Sequence, residues 1–388
     1  MKKKVDLEII KSDLNLLDYF NNKNPISEIS IISKESNIDQ FTDFINEYDF
    51  NLARNLIFKQ IKKGKVKIIS NINFNESNPQ NIKYFINGYV KDAEIKLLNQ
   101  SKIENVKFNF FVDQDFINLN KIELGFDKIF VTSEKVNIKK INNYFNISGN
   151  FKTNKTKINL KNYTKLINTN LDLIDDRPIN LSSDNELSFK INKKLNIKDL
   201  SIISKLNFDE LFTNSKYQDL IYLKNGNILI NYIKEELKIV LNSKFLFQNN
   251  NYNNNKTKNL INIVYKKKQN KDATVNIDLS NTKSKINSKE FKKFVKFKNF
   301  SLQNQDITFT SENLINFKLN KKNEIKNFNI KSKLKSELNI NGIYKDNNEI
   351  IFKNIDFNEE EKSINVENLA IGKNDKIKNL DLFKIDIF

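Results

Sequence analysis

The chain of 388 residues contains no cysteine, histidine or tryptophan, one methionine, three prolines and seven glycines. Without cysteine or histidine there is no thiolate nucleophile, no imidazole base and no Cys/His zinc site. Disulfides are impossible, so cysteine usage says nothing about redox compartment. Carboxylates could still hold a hard cation or act as acid and base, so an enzyme is disfavoured but not excluded, and a carboxylate-based glycan hydrolase stands as a third reading. Long apolar runs are missing too. No window approaches the ~18–20 uncharged apolar residues of a transmembrane helix. Met1-Lys2-Lys3-Lys4 starts like a signal peptide, but Asp6, Glu8, Lys11 and Asp13 interrupt any apolar core. Neither an export signal nor a membrane helix is visible.

Arginine is nearly absent. Lys+Arg is 65 against 47 Asp+Glu, a formal +18, and Arg54 and Arg177 are the two arginines. Nucleic-acid binding would call for arginine, clustered on one element for bidentate phosphate and base contacts. Here lysine is spread evenly, with tight runs only at Lys2-Lys3-Lys4 and Lys266-Lys267-Lys268. No nucleic-acid partner is expected. The richness in Lys, Asn, Ile and Phe matches A/T-rich coding, and a general attraction to anionic surfaces, including lipid headgroups, follows from the charge.

The dominant pattern has period two. Val106, Phe108, Phe110 and Val112 alternate with Lys107, Asn109 and Phe111; Phe145, Ile147, Gly149 and Phe151 repeat the pattern. So do Leu237-Ile239-Leu241, Val275-Ile277-Leu279, Ile315-Phe317-Leu319 and Ile385-Ile387. Alternation places every second side chain on one face of a sheet. One apolar and one polar face is the mark of antiparallel strands with one side wet. Asn225-Gly226-Asn227, Asp346-Asn347-Asn348 and Asn374-Asp375 read as hairpin turns, because Asn, Asp and Gly tolerate left-handed positions. At about 12–14 residues per strand and turn the chain holds roughly 25 strands.

One stretch departs from this. Ile38, Phe41, Phe44, Ile45, Tyr48, Leu52, Leu56, Ile57 and Ile61 step by three and four, which predicts a helix. Ser36 or Asn37 would cap it, Lys62 and Lys63 would lie in its last turn, and Gly64 would end it. The expected organisation is therefore strands or irregular structure over 1–36, a helical segment over 37–63 and a repetitive antiparallel β region over 64–388. A break is expected near 172–178, and a long loop over 249–258.

A weak repeat, apolar-x-Asn/Asp-apolar-x-apolar, starts at Ile103, Ile197, Phe297, Ile325, Phe352 and Ile377, with a half-step copy at Val366. The last four full copies lie 25 to 28 residues apart, which fits one hairpin per repeat. The Asn or Asp shifts the apolar register from step three to step two, as a strand does where it bulges.

Candidate chemistry is sparse. Asp172, Asp175 and Asp176 lack the further ligands and turn glycine of a cation site. Glu359-Glu360-Glu361 is a charge run in a turn. Gly149 and Gly342 mark a bulge or close packing in strands. No catalytic residue, cofactor or metal is expected. What remains is the apolar face itself, which must fold over another sheet, close, or carry something apolar. The candidate lining is Phe108, Phe110, Phe145, Ile147, Val275, Ile277, Phe317 and Leu319. The fold expected is all-β: a long antiparallel meander sheet curled into an elongated open groove, with a short N-terminal helical segment. The alternative is a β-sandwich or β-solenoid binding or surface protein with a closed core.

Phe85-Ile86-Asn87-Gly88-Tyr89-Val90-Lys91-Asp92-Ala93-Glu94-Ile95-Lys96-Leu97-Leu98 resembles the AsmA-like envelope proteins, the group that includes YhdP and TamB. So does the continuation from Lys102 to Phe110. Tyr144-Phe145-Asn146-Ile147-Ser148-Gly149-Asn150-Phe151 repeats the apolar-x-Gly-x-apolar strand of that group, and the likeness is best over about 64–165. The resemblance implies a repeating β-groove that conducts phospholipid between the membranes of a double-membrane bacterium. It implies a periplasmic, inner-membrane-associated location and no catalytic residues. It also implies an N-terminal membrane anchor, and none is visible in this sequence.

Overall fold

The structure is a computed structural model. It describes residues 6–14, 20, 26–40, 61–74, 82–96, 102–126, 129–159, 177–192, 196–212, 221–247, 260–279, 283–286, 307–310, 313–321, 325–333, 337–345, 349–359, 362–372 and 376–387. The chain forms two compact units, Met1–Thr156 with Ser182–Ile203, and Lys157–Leu181 with Ser204–Phe388.

The alternation in the sequence becomes strand nearly everywhere it occurs. Unit 1 holds β1 (Leu7–Leu14), β2 (Ile26–Ser33), β3 (Ser36–Asn37), β4 (Ile61–Phe74), β5 (Ile82–Lys96), β6 (Lys102–Val112), β7 (Phe116–Phe126), β8 (Ile129–Ile141) and most of β9 (Tyr144–Ile158). Residues of β10 (Ile179–Asn192) and β11 (Ile197–Phe212) belong to both units. Unit 2 continues with β12 (Ile221–Ile233), β13 (Glu236–Phe247), β14 (Leu260–Lys268), β15 (Ala273–Asp278), β16 (Lys283–Ile286), β17 (Ile307–Thr310) and β18 (Asn313–Leu319). It ends with β19 (Ile325–Lys333), β20 (Glu337–Lys345), β21 (Glu349–Glu359), β22 (Lys362–Gly372), β23 (Lys376–Asn379) and β24 (Leu382–Ile387). All but β16 and β17 belong to one antiparallel meander sheet of 22 strands, which is not closed. β16 and β17 pair with each other. This is one open sheet, not the face-packed pair of a sandwich.

Of the helical segment expected over 37–63, residues 38–40 are helical and 41–60 lie outside the described residues. Its expected end is overturned. Ile61, Lys62, Lys63 and Gly64 are the first residues of β4, whose pairing with β5 shifts register on both sides of Lys63. Gly64 has φ 136 and lies against Ala93, whose Cβ would be 2.8 Å from an added Cβ. The glycine expected to cap a helix serves a bulge instead. Asn225-Gly226-Asn227 is likewise no turn. It lies inside β12, where pairing with β13 jumps from Lys224 to Asn227 and Asn225 has φ 49. Asp346–Asn348 and Asn374-Asp375 lie outside the described residues, between β20 and β21 and between β22 and β23. The stretch 249–258, most of 172–178 and the Asp172 cluster also lie outside.

The repeated motif marks bulges. Asn105, Asp199 and Asn368 take φ of 54, 52 and 50. In the copies starting at Ile325, Phe352 and Ile377 the pairing skips Lys326, Lys353 and Lys378. These copies fall on β19, β21 and β23, one per hairpin, with the half-step copy on β22. A left-handed backbone costs an ordinary L-residue about 1–2 kcal/mol, which Asn and Asp partly avoid through local hydrogen bonds. Asn105→Val is therefore expected to destabilise unit 1 by about 1–2 kcal/mol, and Asn105→Gly to be near neutral. Urea titration of both variants checks this; equal effects would remove the backbone explanation.

Candidate functional site

Antiparallel register turns the alternating residues of separate strands into continuous rows. In unit 2, Ile228, Leu241, Ile263, Ile277, Ile315, Ile330, Ile340, Ile355, Val366 and Phe383 are successive direct cross-strand partners. A second row on the same face runs Ile230, Ile239, Tyr265, Val275, Phe317, Phe328, Gly342, Phe352 and Leu369. The first row crosses ten strands, roughly 43 Å at ~4.8 Å per interval. Its eight aliphatic residues from Ile228 to Ile355 are all half-buried, as are Val275, Phe317 and Phe328 in the second row.

Unit 1 builds an apolar face of its own from rows of the same kind. Ile68, Gly88, Phe110, Leu119, Val136 and Gly149 are successive partners, and beside them run Ile86, Val112, Ile117, Ile138 and Ile147. Phe108 is buried with Val66, Val90, Ala93, Val106, Ile122 and Val136, and Phe110 and Ile147 pack against that cluster. The Phe108 and Phe110 rings meet edge-on at 6.4 Å. Phe145, half-buried opposite Lys140, lies on the face of Ile147 two residues nearer the β8–β9 turn.

The eight candidate residues thus form two groups. Phe108, Phe110, Phe145 and Ile147 share a face of unit 1; Val275, Ile277, Phe317 and Leu319 share a face of unit 2. Their neighbours Lys107, Asn109, Asn276 and Lys318 are exposed, and Asn146 is half-buried.

Phenylalanine and glycine are matched across this face. Phe110 is paired with Gly88, and an added Cβ at Gly88 would stand 2.7 Å from the Phe110 ring. The rings of Phe208 and Phe328 occupy the space where a Cβ would stand at Gly226 and Gly342. Phe328 meets Phe352 edge-on at 5.7 Å. Each ring lies along the sheet instead of projecting from it, so it caps bare backbone with apolar surface.

The opposite face is polar and internally bonded. In unit 2, Asn276, Asn316, Asn329, Asn341 and Asn354 are successive partners. Asn316 donates to Asn329 at 3.5 Å and Asn329 to Asn341 at 2.6 Å. In unit 1 the bonding is ionic. Glu35 accepts from the Tyr89 hydroxyl at 2.8 Å and pairs with Lys91 and Lys65. Glu94 lies between Lys102 and Lys63, at 3.1 and 3.4 Å. The Tyr89 hydrogen bond, then the nearby lysines, hold the Glu35 carboxyl below its ordinary value; Lys102 does the same first for Glu94. A cavity of about 990 Å³ in unit 1 is lined largely by polar side chains of β7–β11, such as Asn120, Glu134 and Lys152, and by none of the eight candidates. Among the described residues no acidic cluster could hold a metal ion, and no helix is long and apolar enough to cross a membrane.

Sequence reading missed the aromatic group on the polar face. Phe111 stacks on Phe116 at 5.6 Å and meets Phe85 at 6.2 Å. Phe111 stands among Lys and Asn in the alternation, and only register brings the other two rings to it.

These features define an open antiparallel meander protein with one apolar and one polar face. No family model, curated protein or solved structure matches the chain.

Proposed function

We propose that the chain is a non-enzymatic envelope protein that binds phospholipid acyl chains along its apolar ladder face. Its role is the transfer of phospholipid between bacterial membranes, in the periplasm. The observation that carries this reading is the half-buried state of the unit 2 ladder. Rows of Ile, Val and Phe are set in register on a sheet that is not closed, and at one end Ile228 and Leu241 pack against the buried cluster of Ile179, Phe208, Leu223 and Phe245. Apolar surface left wet forgoes about 25 cal/mol per Å², or ~0.8 kcal/mol for each methylene that could be buried. An acyl chain supplies methylenes in a line and asks for no hydrogen bond, so it suits a face that offers none. The headgroup stays in water, and a row of nearly uniform aliphatic residues gives no single stopping point along the sheet. The resemblance over 64–165 supports the same reading.

The test is lipid extraction from the full chain purified from a double-membrane bacterium, read by mass spectrometry. Phospholipid is expected to co-purify and to exchange with acyl-labelled phospholipid added in detergent-free buffer. Protein that carries no phospholipid and takes up none would end this reading.

A further inference from the structure

Lysines that look evenly spread in the sequence are collected by register along one margin of unit 2. The end of β12, the start of β13, the end of β14, the start of β15, the end of β18 and the start of β19 lie side by side. Among the described residues this margin carries Lys234, Lys238, Lys266, Lys267, Lys268, Lys271, Lys318, Lys321 and Lys326 against Glu235, Glu236 and Asp272. All of these lysines but the half-buried Lys267 are exposed. In unit 1, Glu35 and Glu94 are each shared by two lysines. Asp272 is shared in the same way, by Lys318 and Lys326 at 3.8 and 3.6 Å, but the other margin lysines outnumber the remaining carboxylates.

Large apolar side chains stand exposed on the same margin. Ile233 precedes the β12–β13 turn, Ile325 opens β19 and Tyr344 is near the end of β20, at 42%, 40% and 36% exposure. The turns on this margin are tight. Lys234 and Glu235 take φ of 49 and 64 between the paired residues Ile233 and Glu236. That is a two-residue loop for which Asn-Gly is the relaxed choice. In the next turn the Lys271 N–H donates to the Lys268 carbonyl at 3.0 Å.

We propose that this margin docks on an anionic phospholipid bilayer, the lysines facing headgroups and Ile233, Ile325 and Tyr344 entering the interface. Lysines bound to a flat anionic surface add roughly fivefold each to partitioning at low salt. Interfacial apolar side chains add a part that salt does not screen. The proposal stands on charge and exposure alone and does not rest on the acyl-chain reading.

The experiment is co-sedimentation of the full chain with vesicles of phosphatidylcholine containing phosphatidylserine, and with phosphatidylcholine alone. Lys234→Gln/Lys268→Gln/Lys271→Gln is expected to weaken binding to the anionic vesicles on the order of a hundredfold. Lys139→Gln/Lys140→Gln/Lys155→Gln removes the same charge from exposed sites of unit 1 and is expected to cost less than about threefold. Ile233→Ser/Ile325→Ser is expected to weaken vesicle binding about tenfold and to leave heparin binding unchanged. Circular dichroism confirms the fold of each variant. Equal losses from the two lysine triples would assign the binding to net charge and overturn the proposal. Vesicle binding indifferent to the isoleucine variant would point to a soluble polyanion and overturn it too. Lipid extraction is measured separately, so the margin can fail while the ladder face stands, and the reverse.

Discussion

Phe317→Asp is expected to abolish lipid co-purification while leaving a folded β protein. Phe317 is half-buried in the second ladder row, paired with Val275 on one side and Phe328 on the other. A carboxylate there lies on the path of any apolar ligand, and covering it without a partner costs several kcal/mol. In the unliganded protein the same carboxylate keeps its water, so the sheet need not unfold. Phe110→Asp makes the contrast. Phe110 covers Gly88 and packs against the buried cluster of unit 1, so this variant should lose stability as well as lipid. Bound phospholipid by mass spectrometry and folding by circular dichroism, read on the same two proteins, separate the cases. Unfolding of Phe317→Asp would mean that its face is closed by protein, and the acyl-chain reading would fall with it.

Gly88→Ala should damage unit 1 more than any other single methyl. Its added Cβ would overlap the Lys67 carbonyl oxygen, which belongs to the paired strand and has no rotamer by which to move aside. The Phe110 ring closes the same space from the other strand. Relief requires β4 and β5 to separate or the Phe110 ring to lift, and a loss of about 3 kcal/mol is expected. Gly125→Ala is the control. Its nearest neighbour would be the Glu104 carbonyl oxygen at 3.4 Å, ordinary contact, and the lost chain entropy of glycine should make it neutral or slightly stabilising, by up to about 0.5 kcal/mol. Urea unfolding of the two variants reads the difference. Similar values for both would show that the strands at Gly88 are not held as close as described.

Strand identity was legible because a period of two recurs, stretch after stretch, from about residue 64 to the end of the sequence. The bulges were legible at Asn105, Asp199 and Asn368, where a three-step in the apolar pattern coincides with a residue that tolerates positive φ. They were not legible at Asp92 and Lys121, which have φ of 50 and 51 without belonging to the motif. Asn225-Gly226 misled because hairpin turns and bulges need the same left-handed backbone, and the dipeptide does not say which. The steps of three and four before Ile61 gave no sign that Ile61 to Gly64 would be recruited as strand by β5. The ladders were beyond a single strand's reach altogether. Ile277 shows its face in the sequence, but its partners Ile263 and Ile315 are set by register, and the Lys-rich margin is a product of the same alignment.

The bulge motif returns once per hairpin in β19, β21 and β23; β19 to β21 each bond to their neighbours in sequence, and β23 and β24 both bond to β22. The sheet can therefore change length only by whole hairpins. Removing two consecutive strands leaves the next one entering from the same margin, running in the same direction and presenting the same face. Removing one strand would reverse the direction of its successor and demand a crossover as long as the strand itself. Each duplicated hairpin would lengthen the apolar row by roughly 10 Å without altering any existing pair. A gene encoding such a chain can adjust its reach in discrete steps, and homologues should differ in size by multiples of the 25 to 28 residues that separate the repeats.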